Sequence, residues 1–236
     1  MQCPPGISYS ESMQLRYKSL IRYAVAGLLL TSLPAQSAET AQQERARVSA
    51  LPVDVMHGAQ LFERCAACHA SDGGGARDGS VPDIAGQHRS VLIKQLIDYR
   101  YARRWDPRME VIASKHSLTK SQDIADVTAF VASLPFKTDA SQGDGQDAAH
   151  GAEVYARLCA GCHGARGQGD AAKVIPRLAG QHYDYLRRQL YDAVDRRRPN
   201  FATDHLKLLG RFEREDFVGV SDYLSRLGSG GDAARN

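Results

Sequence analysis

The sequence predicts an all-α protein built from two tandem domains, and three observations lead to this. First, the segment HGAQLFERCAACH, which begins at residue 57, returns as HGAEVYARLCAGCH from residue 150. Second, VPDIAGQH returns as IPRLAGQH, with 22 residues from Cys65 to Gln87 and again from Cys159 to Gln181. Third, apolar residues recur at three- and four-residue steps in both copies, which is the period of a helix. A repeat of about 94 residues is longer than a solenoid repeat and suits a small self-contained domain.

Each copy contains one pentapeptide of the form C-x-x-C-H. This spacing is the attachment signature of c-type haem, because two thiols add to the vinyl groups of the porphyrin and the adjoining histidine ligates the iron. One such match is compatible with a redox or zinc pair, but two matches in equivalent repeats favour haem. We therefore expect two covalently bound haem c groups. The attaching residues are Cys65, Cys68, Cys159 and Cys162, and the proximal iron ligands are His69 and His163.

With these motifs the chain resembles the tandem diheme class I cytochromes c of the cytochrome c4 type. The resemblance covers roughly residues 50 to 228 and rests on both pentapeptides, both P-x-[IL]-A-G-Q-H segments and a closing amphipathic helix in each half. It implies an all-α electron carrier of the periplasm with two tandem class I cytochrome c domains, each with one covalent haem. It also implies that Pro82 and Pro176, or the carbonyl groups beside them, accept the second ring N–H of each proximal histidine and orient the ring.

The length of 236 residues allows one or two domains, and the repeat selects two of about 85 residues. Domains of this size bury a limited core by themselves, so we expect the haem to form much of each core. The formal net charge is only +3, acidic and basic residues are interspersed, and no polybasic tail argues for DNA or another nucleic acid as partner. The expected partners are redox proteins in the periplasm or at the inner membrane, and the oligomeric state stays open.

The N-terminal segment is predicted to be a signal peptide over residues 1–38. Arg16, Lys18 and Arg22 precede the apolar run AVAGLLLTSL, and PAQSA supplies small residues for cleavage. Met13 is a more typical start for such a peptide. The apolar run is short for a membrane span, so export is preferred to the alternative of an uncleaved anchor. The polar stretch ETAQQERARVSA that follows is predicted to be a flexible arm.

Three helices are predicted in the first domain, residues 39–135. They run from about Asp54 into Cys65, from His88 to about Arg103, and from about Lys120 to Ser133. Asp54 and Thr119 are the predicted N-caps of the first and the third helix. The second copy repeats the pattern in residues 149–236, after a linker rich in Gly, Asp, Ser and Gln over residues 136–148.

Two further features have open alternatives. The glycine-rich loop ASDGGGARDGS is either a flexible connection or a backbone that passes close to the porphyrin edge. His88 and His182 begin the second helix of each copy, and we expect them to cap the helix or contact a propionate, because each domain already has a proximal histidine. The linker itself does not fix the arrangement of the two domains.

Arginine residues cluster near the predicted distal loops. They are Arg100, Arg103, Arg104 and Arg108 in the first copy, and Arg187, Arg188, Arg196, Arg197 and Arg198 in the second. We expect most of them to form a solvated helix face with haem propionates as partners. A docking surface for an acidic protein is the alternative, because planar guanidinium groups bind carboxylates bidentately.

The sixth iron ligand differs between the copies. Met109 follows His69 by 40 residues, in the loop where the resembled class places its distal methionine. No methionine follows His163, and the 94-residue offset puts Thr203, which is not a strong haem ligand, opposite Met109. His205 lies two residues further and is the candidate for a bis-histidine iron. The alternative is a surface histidine beside an open, five-coordinate iron.

These residues predict a periplasmic diheme c-type cytochrome. It transfers single electrons between a dehydrogenase or quinol-oxidising complex and a terminal acceptor, and no residue is assigned a catalytic role. The alternative is a diheme redox enzyme with catalysis at the second haem, which lacks a methionine ligand. That missing methionine is its only support, so the electron carrier is the preferred prediction.

Overall fold

The computed structural model describes residues 39–137 and 139–228 as a helical protein. The signal peptide predicted over residues 1–38 lies outside these ranges. The helices are α1 Ala41–Ala50, α2 Val55–His69, α3 Arg89–Arg100, α4 Pro107–Ala113, α5 Ser121–Ser133, α6 Ala148–Leu158, α7 Ala160–His163, α8 Tyr183–Val194, α9 Thr203–Leu209 and α10 Arg214–Arg226. Across the described ranges there is no strand, only an isolated bridge between Asp170 and Ile175, so the all-α class is confirmed. None of the described helices is long and apolar enough to cross a membrane.

The two copies fold alike. Helices α2 to α5 of the first copy correspond to α6 to α10 of the second, where a break at the first cysteine of the pentapeptide divides the opening helix into α6 and α7. Asp54 caps α2 as predicted, and its carboxylate accepts a hydrogen bond from the backbone N–H of His57 at 3.0 Å. The predicted Thr119 cap is wrong by one residue. Lys120 is the N-cap of α5, because the Asp123 carboxylate accepts from its backbone N–H at 2.9 Å.

The first and last helices of each copy cross at a glycine. A Cβ atom on Gly58 of α2 would lie 2.2 Å from the carbonyl oxygen of Asp126 on α5. In the second copy, a Cβ on Gly151 of α6 would lie 1.9 Å from the carbonyl oxygen of Gly219 on α10. Only a residue without a side chain allows this approach. The glycine therefore sets the distance between the two helices that carry much of the apolar wall of each site.

The polar stretch predicted to be a flexible arm is instead a helix, α1. Thr40 and Gln43 form a reciprocal capping box at its start. The buried Glu44 carboxylate pairs with the guanidinium of Arg100 on α3 and accepts a hydrogen bond from Ser121 Oγ at 3.3 Å. The prediction failed because Arg100, the partner that holds the helix, lies 56 positions away in the chain.

The two domains meet through two equivalent sets of hydrogen bonds. The Gln87 side chain accepts from the backbone N–H of Arg177 and donates to its carbonyl oxygen, both at 3.0 Å. The Gln181 side chain makes the same pair of bonds with Asp83, at 3.0 and 2.7 Å. The 94-residue repeat relates one set to the other, because Gln181 is the counterpart of Gln87 and Arg177 is the counterpart of Asp83. The domain interface therefore has approximate twofold symmetry, like an isologous dimer interface within one chain.

His88 and His182 belong to this interface and do not cap their helices. Nε2 of His88 donates to the carbonyl oxygen of Gln168 at 2.8 Å, and Nε2 of His182 donates to that of Gly74 at 2.7 Å. Nδ1 of His182 also accepts from the backbone N–H of Ser141, in the linker, at 3.1 Å. The predicted capping role is wrong, and the protein itself occupies both ring nitrogens of His182. The domain arrangement that the linker left open is set by these contacts.

Replacing Glu44 with alanine should lower the free energy of unfolding of the first domain by about 3–5 kcal/mol, because Arg100 then remains buried without its carboxylate. Denaturant unfolding of the haem-loaded protein, followed by circular dichroism, measures this. Gln42→Ala changes an exposed side chain of the same helix and should cost less than about 0.5 kcal/mol. Equal losses in both variants would contradict the role assigned to the buried pair.

Replacing Gly151 with alanine should destabilise the second domain by at least about 1–3 kcal/mol, since the added Cβ would push α6 away from α10. The matched control is Gly161→Ala, because a Cβ there meets nothing within 4 Å and the first copy has Ala67 at this position. Thermal unfolding of the two variants compares them. A Gly151→Ala protein as stable as the control would show that the helix crossing tolerates a side chain.

Candidate functional site

The four pentapeptide cysteines lie in two equivalent pairs, and none of them forms a disulfide within the described residues. Cys65 packs into the apolar cluster around Phe62, and Cys159 packs into the cluster around Tyr155 and Leu186. Burial raises the pKa of the Cys65 and Cys159 thiols to about 11. The second cysteine of each pair is exposed. In each pair the first cysteine lies in an apolar cluster and the second lies at the surface. This arrangement suits two thioether bonds to one flat apolar ring that is partly exposed.

The proximal histidines are held by the proline segments. Nδ1 of His69 donates to the carbonyl oxygen of Pro82 at 3.0 Å, and Nδ1 of His163 donates to that of Pro176 at 3.1 Å. This fixes the tautomer that leaves Nε2 free to bind a metal. Burial lowers the pKa of both imidazoles, which favours the neutral form that a metal requires. The carbonyl acceptor that the resemblance implied is present in both copies.

The glycine-rich loop supports this proline carbonyl. Gly75, at φ +73°, donates its backbone N–H to the His69 carbonyl oxygen at 2.9 Å, and a Cβ on it would lie 2.5 Å from the carbonyl of Pro82. Gly169 of the second copy, at φ +72°, makes the same bond to the His163 carbonyl oxygen at 2.8 Å. Glycine is required because the loop passes against the proline segment in a left-handed conformation. The loop is thus an ordered connection and not a simple flexible one, and its approach to a porphyrin edge stays a prediction.

Met109 and His205 occupy equivalent positions. Met109 is the third residue of α4, after the N-cap Asp106, and His205 is the third residue of α9, after the N-cap Ala202. The connection before the short helix covers residues 101–106 in the first copy and 195–202 in the second, so it is two residues longer there. The offset is therefore 96 residues at this point, and the alignment of Thr203 with Met109 was wrong.

In the second domain the structure brings His163 and His205 together. Their ring centroids lie 6.1 Å apart, with the ring planes at 48°. Two imidazole nitrogens that each bind one metal ion at about 2.0–2.1 Å put the ring centroids about 6 Å apart, so the spacing suits a shared ion. Phe201 packs on His205 with its ring centroid at 4.9 Å. Burial lowers the pKa of His205 to about 4, which keeps its imidazole neutral.

In the first domain the residues beside Met109 act on the proximal histidine. The charges of Arg108 and Asp106 both contribute to the pKa of His69, so this end of α4 lies near the imidazole. Met56, another methionine in the first domain, is 75% exposed at the start of α2. Of these two methionines, Met109 is therefore the one on the helix whose charged residues act on the proximal histidine.

Two arginines at the domain interface lack an acidic partner. The buried guanidinium of Arg104 donates to Gln95, to Gln189 and to the hydroxyl of Tyr185, at 2.6 to 2.8 Å. Arg198, its repeat counterpart, is half-buried, and burial lowers its pKa to about 10. Neither forms an ion pair with a carboxylate of the described residues. An unpaired buried charge is costly, so the site fits an anionic group, such as the propionates of two haems.

Other members of the predicted arginine cluster have structural partners. Arg100 is buried in the pair with Glu44, so the expectation of a solvated face is wrong for it. Arg188 crosses the domain interface and donates to the carbonyl oxygen of Gly79 at 2.7 Å. Arg197 pairs with carboxylates of its own copy. The tertiary contacts distinguish these arginines from Arg104 and Arg198, which lie at the domain interface without an ion pair to a described carboxylate.

The family model for cytochrome c matches residues 55–135 and 148–226, one match for each copy. A thiosulfate dehydrogenase electron acceptor from Stutzerimonas stutzeri is 31% identical over 223 residues, which cover 88% of this chain and 96% of that protein. Cytochrome c4 from Pseudomonas aeruginosa is 28% identical over 171 residues, covering 69% of this chain and 83% of that protein. The crystal structure of reduced recombinant cytochrome c4 from Pseudomonas stutzeri has a TM-score of 0.67 and 26% identity, and the match covers 75% of this chain and all of that one.

These matches agree with the geometry of the two sites. Each copy supplies a pair of cysteines, a histidine oriented by a proline carbonyl and an apolar wall, which together fit a covalently bound haem c. The chain belongs to the cytochrome c family, as a diheme electron carrier of the cytochrome c4 type with two covalently bound haem c groups.

Proposed function

We propose that this carrier works in the periplasm and moves single electrons between a dehydrogenase or quinol-oxidising complex and a terminal acceptor. Its bound haem groups supply the reversible one-electron change of iron. In this proposal, four cysteines attach the haems and two side chains ligate each iron. The attaching residues are Cys65, Cys68, Cys159 and Cys162, and the axial pairs are His69 with Met109 and His163 with His205.

The observation that most supports a carrier is the equivalent placement of Met109 and His205 on their short helices. In this proposal each short helix supplies the side chain that fills the sixth position of its haem. Outer-sphere electron transfer needs no open coordination position, whereas chemistry on a small molecule does. The 6.1 Å spacing of the His163 and His205 rings supports the same conclusion for the second iron.

The domain interface supports passage of an electron from one haem to the other. Asn200 of the second domain donates to Asp98 of the first at 2.8 Å, and Arg104 of the first domain bonds Gln189 of the second at 2.8 Å. These side chains hold the two domains in fixed contact. Arg104 and Arg198 would neutralise haem propionates at this interface, which would favour electron transfer between the two domains.

One relative supports a dehydrogenase as the electron donor. The protein from Stutzerimonas stutzeri is, by its name, the electron acceptor of a thiosulfate dehydrogenase. A similar role for this chain is part of the proposal. The enzyme alternative, catalysis at the second haem, requires an open position at that iron, and the location of His205 argues against it.

The limits of the domains and the export of the chain are also proposals. We infer a signal peptide over residues 1–38, a first domain over 39–135, a linker over 136–148 and a second domain over 149–236. The two family matches, 55–135 and 148–226, support the domain limits. Covalent attachment of haem c and the basic and apolar N-terminal pattern support a periplasmic location.

Replacing His205 with alanine should open the sixth position of the second iron, because the imidazole that fills it is removed. The wild-type oxidised protein should be entirely low-spin by electron paramagnetic resonance, and the variant should show a high-spin signal and bind carbon monoxide when reduced. His150→Ala is the control, since His150 lies in the same domain and pairs with Asp216 instead. A high-spin wild type that His205→Ala leaves unchanged would exclude His205 as a ligand and favour the enzyme alternative.

The two haems should titrate at different potentials, with the first haem higher, since a thioether opposite histidine raises the potential relative to two imidazoles. Met109→His should lower only the upper wave, and His205→Met should raise only the lower one. Met56→His, at an exposed methionine, should move neither. Spectroelectrochemical titration measures both waves. A lower wave that shifts with Met109 would contradict the assignment.

A further inference from the structure

A cavity in the first domain lies outside the haem site. It has a volume of about 370 Å³ and lies between α2 and the loop that joins α4 to α5. Its lining residues are His57, Leu61, Arg64, His116, Ser117, Thr119, Lys120, Gln122 and Asp123. None of the cysteines or proposed iron ligands belongs to this set. The cavity is large enough for a tetrahedral oxyanion and several of its water molecules.

The acidic groups at this cavity already have partners. The Asp123 carboxylate accepts hydrogen bonds from the backbone N–H of Lys120 at 2.9 Å and from Thr119 Oγ1 at 3.3 Å, and so it stabilises the start of α5. Asp126 of α5 does not line the cavity itself. It accepts hydrogen bonds from two lining residues, from Nδ1 of His57 at 2.8 Å and from Gln122 at 2.7 Å. Both carboxylates are therefore engaged at the start of α5 and with His57, and within the described residues neither forms an ion pair with Arg64 or Lys120.

The basic side chains, in contrast, keep unused donors. The Lys120 ammonium and the His116 ring form no hydrogen bond or ion pair with the described residues of the chain. Arg64 donates one N–H to the carbonyl oxygen of Ser117, at 3.3 Å, and its other donors form no hydrogen bond with the described residues. Donors of this kind bind oxyanions through charge-assisted hydrogen bonds. The cavity therefore has the chemistry of an anion site, which the haem sites do not use.

The second copy shows that the fold does not require this cavity. The loop between the short helix and the last helix covers residues 114–120 in the first copy and only 210–213 in the second, so His116 has no counterpart. Glu213 takes the place of Lys120 as the N-cap of the last helix, and Glu215 takes the place of Gln122. The same location is thus basic in one copy and acidic in the other.

The cavity also borders the helical turn that carries Cys65, the proposed attachment residue of the first haem. Arg64 precedes Cys65 in the chain, and Leu61, one helical turn earlier, packs in the same apolar cluster as Cys65. We propose that this basic cavity binds a small inorganic oxyanion of the sulfate or phosphate class, and that the bound anion lowers the potential of the first haem. A negative charge beside the thioether edge stabilises the ferric state relative to the ferrous state. By linkage, the oxidised protein binds the anion more tightly than the reduced protein.

Calorimetric titration of sulfate into the holoprotein tests binding, with sodium chloride holding the ionic strength constant. The wild type should bind one sulfate saturably, and more tightly when oxidised. Lys120→Glu should raise the dissociation constant about tenfold or more, and Lys120→Gln should give a smaller loss. Both variants should fold, because Glu213 is the N-cap at the equivalent helix start.

Lys115→Glu is the matched control. Lys115 lies in the same loop and carries the same charge, but it faces the Tyr101 ring at 6.0 Å and does not line the cavity. It should change the dissociation constant less than about twofold, since only general screening is altered. A titration that never saturates, or equal losses with Lys115→Glu and Lys120→Glu, overturns the site.

The potential gives the second readout. Sulfate in place of chloride should lower the wave of the first haem in the wild type and leave the second unchanged, since the second copy carries Glu213 and Glu215 there. Lys120→Glu should abolish the shift. Saturable binding that moves neither wave overturns the coupling to the haem. The calorimetric result does not depend on the axial ligands, so it stands or fails separately from the assignment of Met109 and His205.

Discussion

Each iron site depends on one hydrogen bond, from Nδ1 of the proximal histidine to the carbonyl oxygen of a proline 13 residues later. The bond sets the tautomer and the direction of the ring, so the metal-binding nitrogen points away from the backbone. Other parts of the fold serve to hold it. Gly75 and Gly169 fold the intervening loop back onto the histidine carbonyl, and the glycines at the helix crossings keep the apolar wall close. A haem attached through two thioethers then has little freedom of orientation.

The two copies share the histidine–proline hydrogen bond, the glycine loop and the helix crossing, and they differ in the connections around the short distal helix. Two extra residues before α9 and three fewer after it leave the short distal helix in place and change the residues around it. The third position of that helix holds Met109 in one copy and His205 in the other. A thioether and an imidazole give iron different potentials, so one duplicated fold can supply two unlike redox centres. With the proposed axial ligands, that difference would set the direction of electron flow between the two haems.

The interface between the domains holds the two proposed redox centres in one fixed arrangement. Equivalent glutamine and histidine side chains of each domain form hydrogen bonds with the backbone of the other domain. Because donor and acceptor positions both recur in the repeat, each contact is formed twice. Arg104 and Arg198 bring positive charge to the same interface without carboxylates from the chain. An anionic neighbour would stabilise such a charge further, and the haem propionates are anions that could supply it. The cofactors are thereby expected to contribute to the contact between the domains.

The sequence by itself determined the duplication and the helical class, because repeated segments and apolar periodicity are local patterns in the chain. It also determined the cofactor and its attachment, because C-x-x-C-H places both thiols and the proximal histidine within five residues. It also pointed to His205, although by an offset that aligned Met109 with Thr203 instead. Only the tertiary structure decided that the polar arm is α1, that His88 and His182 join the domains, and that Met109 and His205 are equivalent. The reason is physical. Glu44 meets Arg100 across 56 residues and His182 meets Gly74 across 108, and contacts at such separations leave no periodic signal in the chain.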